Sequence, residues 1–463
     1  MTLSALTHCW ASGFVVARFG GEHGHPATSN LSAIYYNPAA LTLGSGTRLM
    51  IDGTFAHRSV DYTRPEAAVS SPGMGTPTDV LSANAGQAQL RNFAASPFIT
   101  VASDFGVKRL TVAFGLYVPF GGGASWNQNE GLSAEQQAQY PGIVDGQQRW
   151  WSIDSSLKSV YLTLAAAYQV TDQFHFGVAV SRVSTTIDTI RARGLSPGAD
   201  DLVNEAGGHV EARSYLNATS SDLAVGAGVV YEPTDTIRVG YSYQSQPGFG
   251  ELRLEGNLTV ANPIPGSMST PTPSNLLMSL PDVHRLGVQF QGKKSTEQDK
   301  QEMVWELRVF GDYVRWSLFD RQCLVEEGAD CDDNATLNIQ KNWQNAFGIR
   351  VGGSYWISQM LEVYLGGGYD ANAAPDLGVD PSLFDMNKFS AALGARASLL
   401  DEQLLLGLTF TQVIYLTREV DVVKDGNDRP YNGYDVLNQS GPSAAGTYAQ
   451  SVSVANLYAQ YQF

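Results

Sequence analysis

The sequence is short of charged residues and of cysteine, and it has no long apolar run. Charged residues occupy 16% of its 463 positions, against about 25% in an average soluble domain, and only three cysteines are present. No uninterrupted apolar stretch reaches the roughly 18 residues that a membrane-spanning helix needs. These shortages exclude a helical membrane protein and make a soluble enzyme an unusual fit.

Basic residues are the scarcer of the two charged classes. Lysine and arginine total 29 against 45 aspartates and glutamates, which gives a formal charge of -16. A nucleic-acid partner requires clustered basic residues that neutralise phosphates, and an anionic bilayer surface attracts the same residues. The composition therefore predicts no nucleic-acid partner and indicates acidic loops on an exported protein.

Glycine and aromatic residues are abundant instead. The chain has 47 glycines, 21 tyrosines and 19 phenylalanines. Transmembrane β-barrels combine such a composition with modest overall hydropathy, because only every second residue of a strand faces lipid. This class of protein fits both the shortages and the excesses.

Period-two alternation recurs along the chain from about residue 47. In one segment Ile237, Val239, Tyr241 and Tyr243 share one face, while polar residues and glycine occupy the other. Such alternation is typical of a tilted membrane strand of about 9–11 residues. Fourteen such segments begin near residues 47, 95, 109, 156, 174, 208, 236, 282, 301, 343, 361, 385, 403 and 446. An even number suits closure, so the predicted fold is all-β, a 14-stranded antiparallel transmembrane β-barrel.

The connections between these segments alternate between short turns and long loops. Barrels of the bacterial outer membrane have short periplasmic turns and long external loops, so both termini are predicted to lie in the periplasm. The pattern is weakest in the second segment, near residue 95. The alternation changes register near Arg182 and Phe310, where we expect β-bulges.

The N-terminal stretch lacks the strand pattern. Residues 1–11 contain no lysine or arginine, but Cys9-Trp10-Ala11 resembles the tail of a signal peptide, so we interpret them as a signal remnant; an ordinary N-terminus is the alternative. Residues 12–46 are too long and too apolar for a solvated tail, and we expect them to form a plug, or hatch, inside the lumen. Residues 47–463 then form the barrel.

Several segments together resemble one known family. The run from Ser32 to Leu41 contains Asn37-Pro38-Ala39, and Tyr117-Val118-Pro119-Phe120-Gly121 lies at the end of the third strand. Leu280-Pro281-Asp282 and Asp312-Tyr313-Val314-Arg315-Trp316-Ser317 follow in the middle strands. In this order the segments resemble the long-chain fatty acid transporter family, which comprises FadL and related aromatic hydrocarbon channels such as TodX.

The resemblance implies a passive outer-membrane channel for long-chain fatty acids or aromatic hydrocarbons, with lateral exit beside a kink in the third strand. It assigns Asn37, Pro38 and Ala39 to the hatch or gate, against that kink. The kink candidates are Pro119, Phe120 and Gly121, although a plain strand-to-loop turn would also explain them. The implied partners are a hydrophobic small molecule, outer-membrane lipid and lipopolysaccharide, and, through the terminal Phe463, the barrel assembly machinery. We expect a monomer without cofactors.

Lumen-side arginines are candidates for holding a fatty carboxylate through paired hydrogen bonds. The alternative is that they balance carboxylates inside a wet barrel. The five candidates are Arg238, Arg285, Arg308, Arg350 and Arg396. Cys323 and Cys331 lie close together in one polar loop and can form a disulfide in an oxidising compartment.

The sequence gives little support for a metal site or a catalytic site. His23 and His25 lie two residues apart with no third ligand in view, so no metal site is predicted. No Ser, His and Asp set stands out, so we expect no enzymatic activity. The remaining alternatives are a general porin and a structural or adhesive barrel. The plug and its Asn-Pro-Ala sequence favour the hydrophobic channel over both.

Overall fold

The computed structural model describes residues 18–69, 84–194, 200–202, 208–261, 269–295, 301–332, 335–424, 430 and 442–463. The proposed signal remnant, residues 1–11, and the first six residues of the proposed hatch lie outside this part. Within it, the chain forms one antiparallel sheet that closes on itself. No helix among the described residues is long and apolar enough to cross a membrane.

Nineteen strands make up this sheet. They are β1 (Arg48–Arg64), β2 (Gly86–Ser103), β3 (Leu110–Gly123), β4 (Asp154–Gln169), β5 (Phe174–Gly194), β6 (Glu211–Thr234), β7 (Ile237–Gln244), β8 (Leu252–Ala261), β9 (Thr272–Met278), β10 (Val283–Ser295), β11 (Gln301–Val314), β12 (Arg321–Glu326), β13 (Leu337–Gln340), β14 (Ala346–Ser358), β15 (Leu361–Asp370), β16 (Lys388–Leu399), β17 (Leu404–Tyr415), β18 (Arg418–Val420) and β19 (Gly446–Gln462).

Fourteen of these strands close the barrel. The circuit runs through β1 to β7, then β10, β11, β14 to β17 and β19, which pairs back with β1. The other five strands lie within the long connections and extend the sheet above the barrel. For example, β8 pairs with the same edge of β6 as β7 does, but further along the strand. The predicted 14-stranded barrel is therefore confirmed. Below, the end with short connections is called the turn end and the other the loop end.

Thirteen strands begin within three residues of their predicted starts, and β2 is the exception. It begins at Gly86, nine residues before the predicted 95. Its early half turns Gln87, Gln89 and Arg91 outward and buries Ala88 on the inner face, which is the reverse of the lipid-facing pattern. A search for outward apolar stripes therefore misses it.

The predicted bulges at Arg182 and Phe310 are wrong. Pairing continues without a shift through both residues. Register shifts occur elsewhere, including one in β3 between Tyr117 and Phe120. At Arg182 the outward face simply changes from apolar to polar, which mimics a change of register in the sequence.

The outer surface carries the apolar residues expected of a lipid face. On β5, Phe176, Val178 and Val180 are exposed, and Arg182 and Ser184 follow on the same face toward the loop end. Rings on neighbouring strands contact each other near the loop end, with centroids of Tyr369 and Phe389 5.2 Å apart. Such aromatic residues mark the interfacial level of a membrane barrel.

Among the described residues, helical structure is confined to short pieces. The α-helices are α1 (Ala33–Tyr36) and α2 (Ala134–Gln139), and a capping box of Ser133 and Gln136 begins α2. The 3-10 helices are Gly21–His23, Pro38–Leu43, Glu66–Ala68, Pro141–Asp145, Gln147–Trp150, Pro247–Phe249, Trp316–Leu318 and Asp376–Gly378.

Residues 18–46, called the hatch below, lie inside the ring of strands. They approach the wall where neighbouring strands carry paired glycines that face inward. A Cβ atom at Gly177 would lie 2.3 Å from the backbone nitrogen of Ala39, and one at its partner Gly228 would lie 2.0 Å from Oδ1 of Asn37. Gly240 and its partner on β10 receive Pro26 in the same way. The wall is therefore shaped to fit the hatch.

Candidate ligand pathway

Asn37 organises the middle of the hatch. Its Oδ1 accepts a hydrogen bond from the backbone nitrogen of Ala39 at 3.1 Å, which caps the 3-10 helix that begins at Pro38. Its Nδ2 donates to the carbonyl oxygens of Pro26 at 2.8 Å and of Val229 on β6 at 2.9 Å. One amide thus fixes two hatch turns and attaches them to the wall.

Asn37 donates a hydrogen bond to β6, and the backbone of Pro38 and Ala39 approaches Gly177 of β5. Pro38 also lines a small cavity together with Tyr117 of β3, so the expectation that the three residues lie against the kink stays a prediction. Ile34 of the hatch approaches β3, because its Cδ1 would lie 3.0 Å from a Cβ atom at Gly115. Asn37 separates α1, which contains Ile34, from the 3-10 helix that begins at Pro38.

The third strand contains an irregularity at the predicted place. Tyr117 pairs with Tyr161 and Phe120 with Ser159, so Val118 and Pro119 together oppose a single residue of β4. Phe120 and Gly121 resume the pairing beyond the bulge, and β3 continues to Gly123. The strand is therefore bulged within its length rather than ended at Pro119.

The wall splits between β2 and β3 at this bulge. The two strands share only six paired positions, from Phe98 opposite Tyr117 to Ser103 opposite Val112. Residues 86–97 of β2 pair only with β1, and the next backbone hydrogen bond between the two sides joins the nitrogen of Asn127 to the oxygen of Gln89. The split is an interruption in an otherwise closed wall.

A proline lies on each edge of the split. Pro97 immediately precedes Phe98, the first residue of β2 that pairs with β3, and Pro119 lies in the bulge of β3. Because proline has no backbone N–H, neither edge presents a donor at these positions. This reduces the cost of leaving strand edges unpaired at membrane depth, where each unsatisfied polar group costs several kcal/mol.

An aromatic cluster leads from the hatch to the split. Phe19 of the hatch lies 4.8 Å, centroid to centroid, from Phe98 on β2, and the ring of Tyr35 lies 5.6 Å from that of Tyr117. Tyr117 also stacks on Tyr161 at 5.7 Å. All five side chains are buried. Apolar surface therefore continues from the centre of the lumen to the interruption in the wall.

The lumen divides into an apolar half and a charged half. The inward positions of β2 to β5 include Ala94, Ala113, Ala165 and Ala179. The ionic contacts within the barrel lie mostly on β10 to β16, where carboxylates and arginines alternate between strands. The split therefore opens from the apolar half.

Four of the five candidate arginines are paired with carboxylates. Arg308 lies 2.7 Å from Glu306, Arg350 2.5 Å from Asp312 and 2.6 Å from Asp370, and Arg396 2.5 Å from Glu362; Arg238 pairs with Glu232. For these four, charge balance inside the barrel accounts for their presence.

Arg285 differs from the other four. Among the described residues, no carboxylate oxygen lies within 4 Å of its guanidinium. Its Cζ lies 4.3 Å from the ring centroid of Tyr35, and its Nη1 donates to Oε1 of Gln244 at 3.4 Å. It lines a cavity of about 70 Å³ beside Tyr35 and Tyr36. That space holds a few waters but no long acyl chain, so hatch side chains must move when a ligand passes.

The two histidines of the hatch make structural contacts, His23 with the wall and His25 within the hatch. Nε2 of His23 lies 2.9 Å from Glu362, and the hydroxyl of Tyr458 lies 3.1 Å from its Nδ1. Nδ1 of His25 accepts from the backbone nitrogen of Ala27 at 3.3 Å. No group of three metal-ligating side chains is found among the residues that the structure describes.

The C-terminal end of the hatch is tied to the turn end. The hydroxyl of Thr42 lies 2.7 Å from Nδ1 of His175, and Asp104 accepts from the backbone nitrogens of Gly106 at 2.9 Å and Gly46 at 2.7 Å. These two hydrogen bonds stabilise the carboxylate and hold the pKa of Asp104 below its usual range, and the one from Gly106 has the larger effect. The last part of the hatch is therefore anchored at the turn end.

The two cysteines of the polar loop are bonded to each other. Cys323, on β12, and Cys331 have Cα atoms 6.1 Å apart. Cys323 is buried with Leu277 and Val325 at the loop end. The bond braces the small sheet formed there by β8, β9, β12 and β13, away from the split.

Comparison with protein families gives one match over almost the whole chain. The model of the family described as outer membrane protein transport protein (OMPP1/FadL/TodX) matches residues 6–463. No sequence among the curated proteins matches the chain.

Solved structures share the fold. A Pseudomonas aeruginosa FadL homologue superposes with a TM-score of 0.74 at 18% identity, over 98% of this chain and 100% of that one. The toluene transporter TodX of P. putida gives 0.62 at 14% identity, over 95% and 99%. The toluene transporter TbuX of Ralstonia pickettii gives 0.57 at 15% identity, over 98% and 96%. At such identities the superpositions establish a common fold.

Proposed function

The chain belongs to the OMPP1/FadL/TodX family of outer membrane transport proteins, and we propose that it is a passive channel from which hydrophobic molecules leave sideways, through the split between β2 and β3. The barrel lies in the bacterial outer membrane, with its turn end in the periplasm and its loop end outside. Long-chain fatty acids and aromatic hydrocarbons are the proposed substrates.

The split between β2 and β3 is the observation that best supports this proposal. It lies at the end of the aromatic path from the hatch, and its lipid side is flanked by the exposed ring of Phe93, which stacks on Phe55. A molecule on this route remains against apolar surface and avoids about 25 cal/mol for each Å² that water would otherwise contact. Transport down a gradient then needs no energy source, and we assign no catalytic step to the chain.

A straight route to the periplasm is less favourable. It would have to break the contacts of Asn37 with β6, of His23 with Glu362, and of Thr42 with His175. A general porin would likewise need an open aqueous lumen, which the hatch occupies. The lateral route leaves these contacts in place.

The proposed surroundings follow from the membrane position. Lipid faces the apolar outer surface, lipopolysaccharide faces the loop end, and the terminal Phe463 is exposed for recognition by the barrel assembly machinery. We propose a monomer, because each of the fourteen barrel strands pairs with a neighbour on both sides for at least part of its length, so no whole strand is left at a free edge to pair with a second copy.

The test is to fill the split. Gly121 lies just beyond the bulge and pairs with Lys158, so Gly121→Trp adds bulk to one edge of the gap. We expect uptake of labelled oleate by cells lacking the native gene to fall at least tenfold relative to the unaltered protein. Heat-modifiable migration on a gel reports whether the barrel is folded.

Gly131→Trp is the matched control, because Gly131 lies in an external loop where an added Cβ atom makes only an ordinary contact at 3.6 Å. It should leave uptake unchanged. Full oleate uptake by a folded Gly121→Trp protein would rule out lateral exit at this split.

A further inference from the structure

The barrel wall has a second interruption, between β6 and the continuous segment formed by β7 and β8. Pairing of β6 with β7 ends at Gly226 opposite Gln244, and pairing with β8 begins at Thr219 opposite Glu255. Between them, residues 220–224 of β6 have no ladder partner on this side among the described residues. At the edge, the nitrogen of Val225 is satisfied by the hydroxyl of Ser245.

A strained turn covers this interruption. The 3-10 helix Pro247–Phe249 lies beside residues 220–224, and Gly248 and Phe249 have φ values of 70° and 56° in succession. A left-handed backbone is unfavourable for phenylalanine, so the surrounding structure must hold it there. The Phe249 side chain is nevertheless 58% exposed, and a Cβ atom at Gly250 would meet nothing within 4 Å.

The interruption lies at the loop-end edge of the apolar outer surface. Leu223 and Val225 of β6 point outward and are 54% and 38% exposed. The exposed ring of Phe249 adds to the same surface. In the register of β5 with β6, Leu223 lies opposite Arg182 and Ser221 lies opposite Ser184, so the break lies at the loop-end boundary of the apolar surface.

A small internal space of about 10 Å³, room for one water molecule, lies between the hatch and the interruption. It is lined by Ile34 and Tyr35 of the hatch, by Tyr117 at the β2–β3 split, and by Val225 and Tyr243 at the second break. Tyr35 and Tyr117 face the lumen, whereas Val225 and Tyr243 belong to the outward faces of their strands. The lining of this space therefore extends from one interruption to the other, and a ligand larger than water would have to displace side chains to pass between them.

We propose that this break is a second side opening, through which uncharged hydrophobic molecules exchange between the lumen and the outer leaflet, with the turn at Phe249 as its cover. The proposal rests on the channel function proposed above. Asp222 sets the ligand class: its carboxylate lies on the inner edge of the break, 3.3 Å from where a Cβ atom of Gly248 would be. A fatty carboxylate would be repelled there, whereas toluene would not.

Separate blocking of the two openings tests the proposal. Gly250→Trp fills the open space beside the turn and keeps an extended backbone, since Gly250 has φ −176°. It is combined with Gly121→Trp, and uptake of labelled toluene and oleate is measured with Gly131→Trp as control. We expect Gly121→Trp alone to keep at least a third of toluene uptake, and the double variant to lose a further fivefold or more.

A reversible lock provides a second measurement. Asp222→Cys with Gly248→Cys places two thiols where the turn meets β6; oxidation should lower toluene uptake of the Gly121→Trp protein, and reduction should restore it. The same treatments of the protein without these cysteines control for the native disulfide. Equal toluene uptake in the single and double tryptophan variants, or complete loss in Gly121→Trp alone, would overturn the second opening.

These outcomes remain distinct from failure of the channel function itself. If cells without the protein take up both compounds as fast as cells with it, the proposed function fails. If oleate uptake survives in Gly121→Trp, exit at the first split fails. In the latter case the comparison of Gly250→Trp with the unaltered protein still tests the second opening through toluene.

Discussion

At the residue scale, the neighbours of each lumen arginine indicate whether its charge is already paired with a carboxylate or is available to bind a ligand. Arg350 is surrounded by Asp312 and Asp370 from the two neighbouring strands, so its charge is already compensated. Arg285 instead stacks on Tyr35 and contacts a neutral amide. The sequence contains both arginines on the same kind of strand face. The two arginines differ because barrel closure places different strands beside them, and the local sequence around each arginine does not reveal those neighbours.

Arg285 is therefore the residue at which fatty acids and hydrocarbons should be distinguished. A charge-assisted hydrogen bond contributes about 1.5–3 kcal/mol, or roughly 10- to 100-fold in binding. We expect Arg285→Met to weaken oleate binding by about that factor and to leave toluene binding within about twofold, measured by titration of the purified protein in detergent. Arg396→Met, which breaks a pair with Glu362, is the comparison. Equal losses for the two ligands would show that Arg285 has a structural role only.

At the scale of the strand, the alternation of outward residues decides stability. Val178 is the middle apolar position on the outer face of β5, and Ser184 lies on the same face beyond the apolar stretch. Val178→Arg should destabilise the barrel by about 2–4 kcal/mol, and Ser184→Arg by about 0–1 kcal/mol. Reversible unfolding by denaturant in lipid vesicles measures both. Similar losses would mean that the membrane does not contact β5 at this level.

The same alternation explains what the sequence could and could not predict. Strands such as β7 and β17 were located because lipid requires an unbroken apolar stripe on one face. The first half of β2 was missed because Gln89 and Arg91 face outward there. The kink candidates Pro119, Phe120 and Gly121, which the resemblance supplied, lie at the bulge of β3, but nothing in the sequence indicated the six-position pairing of β2 with β3. It depends on where two strand edges separate, and the wrong bulges at Arg182 and Phe310 reflect the same limit.

At the scale of the whole molecule, the hatch and the wall are fitted to each other. Gly177 and Gly228 leave room for the Asn-Pro-Ala turn, and Gly240 leaves room for Pro26. The sequence indicated that the N-terminal segment fills the lumen, and the resemblance placed its Asn-Pro-Ala turn against the third strand, but neither indicated the close approach to β5, β6 and β7. A signal was nevertheless present, because these glycines occur at inward positions of three consecutive strands. Because the hatch is anchored at the turn end, the proposed exit through the wall requires less rearrangement than a route past the hatch.

A covalent lock on the hatch separates lateral exit from a straight channel. A Cβ atom at Gly21 would lie 2.8 Å from Cβ of Thr409 on β17, so a shift of about 1 Å brings a cysteine pair to disulfide spacing. Gly21→Cys with Thr409→Cys therefore ties one end of the hatch to the wall, while the other end continues into β1. We expect the oxidised protein to take up oleate within about twofold of its reduced form, because lateral exit leaves the hatch in place. The protein without the added cysteines controls for reduction of the Cys323–Cys331 bond. Loss of uptake on oxidation, regained on reduction, would mean that the hatch must leave its position and that the ligand continues straight to the periplasm.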